Sequence, residues 1–168
     1  MKPIGHLIWN IKALSQSMKL TEEEVNEYFK DGRRGSFLME RSLRNALNLR
    51  LAPSEGSSYD LIDQDEKWEV RSLTNRIYFS NSNNVGSNRA FKEKDFLKKL
   101  KEIAGYYITD LFEFPNVPYY KINSQIVEKW YLNYKAGKSF ARGKVKETTD
   151  KKANIPREKM LRLINEVL

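Results

Sequence analysis

Hydrophobic positions follow a helical period at both ends of the chain and a strand period in the middle. Leu7, Ile11, Leu14 and Met18 fall at helical spacing and predict a helix over 7–18. Thr21 and Glu24 form a capping-box pair ahead of Val25, Tyr28 and Phe29, which predicts a second helix ending at Asp31-Gly32. Arg33-Arg34-Gly35 then reads as a basic turn. A third helix is expected from Ser36 to Asn48, with Met39, Leu43, Ala46 and Leu47 on one face.

The period changes after the loop containing Pro53, Ser54, Gly56, Ser57 and Ser58. Tyr59 to Asp63 and Lys67 to Leu73 read as strands joined by Gln64-Asp65-Glu66, with a third strand over Arg76 to Ser80. A polar Ser/Asn loop covers Ser80 to Asn88. A helix is expected from Lys92 to Ala104, with Phe96, Leu97, Leu100 and Ile103 inward. Tyr106 to Phe114 and Val117 to Ile122 read as two more strands, and Ser124 starts a helix carrying Ile126, Val127 and Trp130. The tyrosines of these elements, with Trp130 and Tyr131, read as core residues rather than base-stacking platforms.

Residues 135–152 hold seven Lys/Arg against Glu147 and Asp150, a basic connector. Pro156 then opens a last helix with the stripe Met160, Leu161, Ile164, Val167 and Leu168. The order ααα-βββ-α-ββ-α plus an appended helix predicts an α/β (α+β) fold, a mixed central sheet flanked by helices. Residues 1–134 form the main domain. Residues 135–168 form the connector and a C-terminal helix that packs on that domain or on a second subunit.

Composition narrows the chemistry. The 168 residues include 30 Lys+Arg against 22 Asp+Glu, a net charge of +8, with one His and no Cys. Without cysteine there are no disulfides, zinc ribbons or thiolate nucleophiles, and one histidine does not build a His-based metal site. Catalysis would rest on carboxylates, lysines, arginines, tyrosines or a hard cation. The basic excess points to a phosphate-bearing partner. No apolar run reaches the ~18 residues of a membrane span. The opening stretch also lacks a cleavage-site pattern, so a cytoplasmic protein is expected.

The informative stretch runs from Gly56 to Ser72. Period 2 puts Trp68, Val70 and Ser72 on one face of the second strand and Glu69, Arg71 and Leu73 on the other. Trp68 and Val70 make the natural core pair, which aims Glu69 and Arg71 together away from that layer. Asp60 starts the partner strand, level with Glu69 or one step along. Two carboxylates beside a cation are what a Mg²⁺-dependent phosphodiester hydrolase uses. The competing reading is a solvated hairpin with ordinary surface charges. Glu40 lies at the edge of the buried stripe of its helix, sharing a face with Leu43 and Leu47.

This arrangement resembles the PD-(D/E)XK nucleases, and in particular type II restriction endonucleases, over about Gly32 to Tyr131. The resemblance rests on Glu40 in GRRGSFLMERSLRNALNL, on Tyr59-Asp60-Leu-Ile after a Gly/Ser loop, and on Trp68-Glu69-Val-Arg71. It implies a restriction-endonuclease-like sheet and Mg²⁺-dependent (or Mn²⁺-dependent) cleavage of double-stranded DNA by a homodimer. Asp60 and Glu69 would be metal ligands and Glu40 an auxiliary carboxylate. Arg71 stands where that family most often has Lys, and an arginine can clamp charge but not act as a base. The alternative is a DNA-binding protein on the same scaffold that no longer cleaves.

The positive charge suggests where DNA would lie. Arg33 and Arg34 precede the Glu40 helix, and Arg76, Arg89 and Lys92 bracket the Asn/Ser loop. Asn81, Asn83, Asn84, Asn88 and Arg89 are candidates for base reading, since Asn pairs with adenine and Arg with guanine in the major groove. Lys138, Arg142 and Lys144 in the connector are candidates for backbone contacts.

Overall fold

The computed structural model describes residues 2–54, 57–79, 93–135 and 154–166. The chain opens on a strand, β1 (Gly5–Ile8), where the hydrophobic spacing predicted a helix. Asn10 explains the difference. Its side chain accepts a hydrogen bond from Ala13 N–H at 3.0 Å and caps α1 (Ile11–Met18), so the helix cannot begin earlier. Lys19 ends α1 in the left-handed region with φ 54°. The capping box of Thr21 and Glu24 forms as expected and starts α2 (Glu22–Lys30). Glu24 is held below the usual carboxylate range by the Thr21 backbone N–H and side chain. Next comes α3 (Gly32–Leu47), which takes Arg33-Arg34-Gly35 into its first turn instead of leaving them as a separate turn.

A two-residue strand, β2 (Arg50–Leu51), then leads to the hairpin of β3 (Leu61–Asp63) and β4 (Glu66–Leu73). The hairpin turn is Gln64-Asp65, with φ 48° and 69°, one residue tighter than expected. Two consecutive positive φ values match the twist of antiparallel strands and fix the register Leu61↔Trp68 and Asp63↔Glu66. Beyond them follow β5 (Arg76–Tyr78), α4 (Glu93–Glu102), β6 (Gly105–Asp110), β7 (Asn116–Asn123), α5 (Ser124–Lys135), β8 (Asn154–Pro156) and α6 (Arg157–Glu166). The strand expected over 106–114 stops at Asp110, and Leu111–Glu113 is a 3-10 turn.

The main sheet has six strands in the order β1-β7-β6-β4-β3-β2, with β4 and β6 parallel and the remaining pairs antiparallel. The third expected strand, β5, lies outside it and pairs with β8 in a small sheet. The fold is therefore mixed α/β. One layer holds Val25, Phe29, Met39, Leu43, Leu61, Trp68, Val70 and Tyr107, from α2, α3 and one face of the sheet. The other holds Leu73, Phe96, Leu100, Tyr106, Ile108, Val127 and Met160, from α4, α5, α6 and the opposite face. With both faces covered, Tyr106, Tyr107, Tyr119 and Tyr120 are all buried and none is a base-stacking platform. At Gly105 a Cβ would come within 2.1 Å of Ile122 O, so only glycine lets β6 lie this close to β7.

The C-terminal stripe enters the second layer through Met160, Leu163 and Ile164, within its own chain; 167 and 168 lie outside the described residues. Arg157 ties α6 to the end of β6. Its Nε and Nη2 reach both oxygens of buried Asp110 at 2.7–3.1 Å, and Nη2 also pairs with Glu113. Among the described residues no helix is long and apolar enough to cross a membrane.

Candidate active site

The hairpin sets the site. Asp60 N–H donates to Trp68 O at 2.9 Å, on the residue that already faces Leu61, so Asp60 is tied to β4 one step out of the hairpin register, just before β3 begins. The Asp60 carboxylate turns across the strand, where Oδ2 accepts the Val70 N–H at 2.7 Å. The backbone of β4 thus fixes the orientation of the acid on its neighbour.

Glu69 is only 4% exposed, which rules out a solvated hairpin. Trp68 and Val70 do enter the α2–α3 core layer. Glu69 and Arg71 face away from it, as period 2 requires, yet they do not face water. Their side of the sheet is roofed by α4, and α4 contributes a residue that the sequence reading passed over. Lys99, 5% exposed, places Nζ 2.5 Å from Glu69 Oε2. Arg71 Nη2 pairs with the other oxygen, Oε1. One buried carboxylate is thus held between two cations.

The signal for Lys99 was present in the chain. It lies three residues after Phe96 and four before Ile103, on the stripe of α4 that points inward. A lysine on an apolar stripe is a buried charge that needs a partner.

Glu40 completes the group from α3, electrostatically coupled to Asp60, Glu69 and Arg71. Burial, then the charge of Asp60, lifts its carboxyl to about 7, with Arg41 pulling the other way. Asp60 is also raised, by burial and then by Glu69. Lys99 is pushed below the usual amine range by burial and then by Arg71, against the pull of Glu69. Burial opposes the charge on Arg71, but Glu69, Asp60 and Glu40 together hold it firmly protonated. The buried Tyr106 hydroxyl has no hydrogen-bond partner among the described residues, and burial keeps it neutral.

Fully ionised, the three carboxylates exceed Arg71 and Lys99 by one negative charge. Among the described residues no group of three or more His, Cys, Asp or Glu side chains has the geometry to hold a metal ion. Mg²⁺ does not require such a group, because one or two carboxylates plus waters and phosphate oxygens are its usual shell. The all-oxygen donors, the mutual repulsion of Asp60, Glu69 and Glu40, and the excess negative charge fit that ion.

Arg33 and Arg34 lie in the first turn of α3, and Arg76 is half-buried on β5. Asn81, Asn83, Asn84, Asn88, Arg89, Lys92, Lys138, Arg142 and Lys144 lie outside the described residues. The sequence matches no protein-family model and no curated protein, so the chemistry must be read from the geometry itself.

Glu40 gives a direct check of this electrostatic picture. A carboxyl raised from 4.5 to about 7 on folding contributes stability that is complete below about pH 4.5 and lost as pH rises through 7. In metal-free protein, Glu40→Gln will therefore melt at a higher temperature than wild type at pH 8. The two melting curves will converge towards pH 4.5. Equal melting temperatures at both pH values would show that neither burial nor the other carboxylates perturb Glu40.

Proposed function

We propose that this protein is a Mg²⁺-dependent phosphodiesterase that cleaves DNA, built on a restriction-endonuclease-like scaffold. The observation that carries this reading is Glu69, buried between Lys99 and Arg71, with the Asp60 carboxylate bonded to the N–H of the next residue of its strand, Val70. Asp60 and Glu69 would hold the ion, with Glu40 alongside. When bound, Mg²⁺ would polarise the scissile phosphate and acidify a coordinated water.

The protein's own groups do the rest. Arg71, permanently charged, neutralises a phosphate oxygen and holds Glu69 in place. Lys99 supplies what Arg71 cannot, an amine that deprotonates below its usual range and can take a proton from the attacking water. As the water oxygen bonds to phosphorus in line, the bond to the 3′ oxygen breaks and that oxygen takes up a proton from solvent. The products are a 5′-phosphate and a 3′-hydroxyl, as the family resemblance implies. A homodimer cutting both strands is the form that goes with this reading.

Incubation with supercoiled plasmid tests it. Nicking or linearisation is expected with Mg²⁺ or Mn²⁺ and none with EDTA. Absence of cleavage across a panel of DNA substrates would overturn the nuclease reading. One observation favours a second reading, DNA binding without cleavage: both oxygens of Glu69 are already paired with cations. Retained DNA binding with no nicking would support it.

A further inference from the structure

Phe37 is 54% exposed, although α3 has apolar neighbours on its inner face. It precedes Glu40 by three residues and Arg41 by four, so all three share one side of the helix. The Arg41 guanidinium lies over the Phe37 ring, with Cζ 3.3 Å from its centroid, while Nη1 is 3.7 Å from Glu40 Oε2. The exposed aromatic is therefore connected to the carboxylate group through a single arginine.

From this juxtaposition we infer that Phe37 and Arg41 form a stacking subsite for an unpaired DNA base beside the cleaved phosphate. The inference rests on the nuclease reading above and adds a substrate class to it. An aromatic ring with a guanidinium on it offers a flat, cationic surface that suits the π-face of any base and the negative charge of its phosphate. A base in a closed duplex keeps both faces stacked on its neighbours. The subsite therefore selects single-stranded, frayed or flipped positions. The placement, rather than the exposure, sets Phe37 apart, since isolated exposed apolar side chains are common.

The test measures binding in EDTA, where no cleavage occurs, using a single-stranded oligonucleotide carrying 2-aminopurine. Wild type is expected to bind the oligonucleotide and to quench the fluorophore more strongly in the single strand than in the same sequence as a blunt duplex. Phe37→Ala should lose the quench and weaken binding about 5- to 150-fold, the range of one base–aromatic stack. Phe37→Trp should retain both, and Phe37→Leu, which keeps apolar volume without a ring, should behave like Phe37→Ala. Circular dichroism should be unchanged, since the side chain is exposed. Unaltered quench and affinity in Phe37→Ala, with wild type binding normally, would overturn the subsite and leave the nuclease reading standing. If wild type binds no DNA of any form, both fail together.

Discussion

Replacing Lys99 by Met will cut the rate of Mg²⁺-dependent plasmid nicking by about 10²- to 10⁴-fold, the usual worth of a positioned proton-transfer group. Affinity for DNA in EDTA should change much less, because the Lys99 charge is taken up by Glu69 beneath the surface that DNA would touch. Methionine fills nearly the same volume. Glu69 keeps Arg71 as a partner, so the variant should remain folded by urea titration, with some loss of stability. Lys99→Arg separates charge from proton transfer. It preserves the positive charge beside Glu69 but cannot deprotonate in the working range. The wild-type rate should climb with pH as the lowered Lys99 amine loses its proton, and Lys99→Arg should lack that rise. A Lys99→Arg protein with the wild-type rate and pH profile would reduce Lys99 to a structural counter-charge.

Asp60→Asn should abolish cleavage, by at least about 10³-fold, while making the metal-free protein more stable. The two effects have one cause. Burial and the charge of Glu69 raise the Asp60 carboxyl above its ordinary 3.8. Its contribution to stability is complete below pH 3.8 and is lost as pH rises through the folded value, so at pH 8 the ionised acid works against folding. Asparagine removes the charge, and its amide oxygen can still accept the Val70 N–H that Asp60 Oδ2 accepts at 2.7 Å. The melting temperature at pH 8 in EDTA should rise, and added Mg²⁺ should stabilise wild type but not the variant. A lower melting temperature with cleavage intact would make Asp60 a structural acid. Strain of this kind, tolerated in the free protein and relieved by a bound cation, is a mark of groups kept for binding.

Much of the candidate site was legible in the chain because it is built locally. Asp60 and Glu69 lie on one hairpin, and once the turn is placed the period of two sets their faces. The turn itself was one residue shorter than expected, because Gln64 and Asp65 both take positive φ without a glycine to advertise it. Glu40 was visible as an acid at the margin of an apolar stripe. Lys99 carried the same kind of signal on α4 and was passed over, because a lysine among Phe96, Leu100 and Ile103 looks like an interruption until its partner is known. The pairing with Glu69 joins residues thirty positions apart.

The sequence alone determined the elements whose hydrogen bonds close within a few residues: the capped α2, the β3–β4 hairpin, and the apolar faces of α3, α4 and α6. It also determined the chemical repertoire, since a chain with no cysteine and one histidine must rely mainly on hard oxygen ligands, amines and guanidinia. Tertiary structure decided the rest. Whether residues 5–8 form strand or helix depended on β7, more than a hundred residues away, whose Val117 and Pro118 pair with Leu7 and His6. Whether Glu69 and Arg71 meet water or protein depended on α4 covering that face of the sheet. The physical reason is the same in both cases. A short strand has no internal hydrogen bonds to hold it, and a charged side chain takes its ionisation and partners from what lies above it. Neither belongs to the local pattern of the chain.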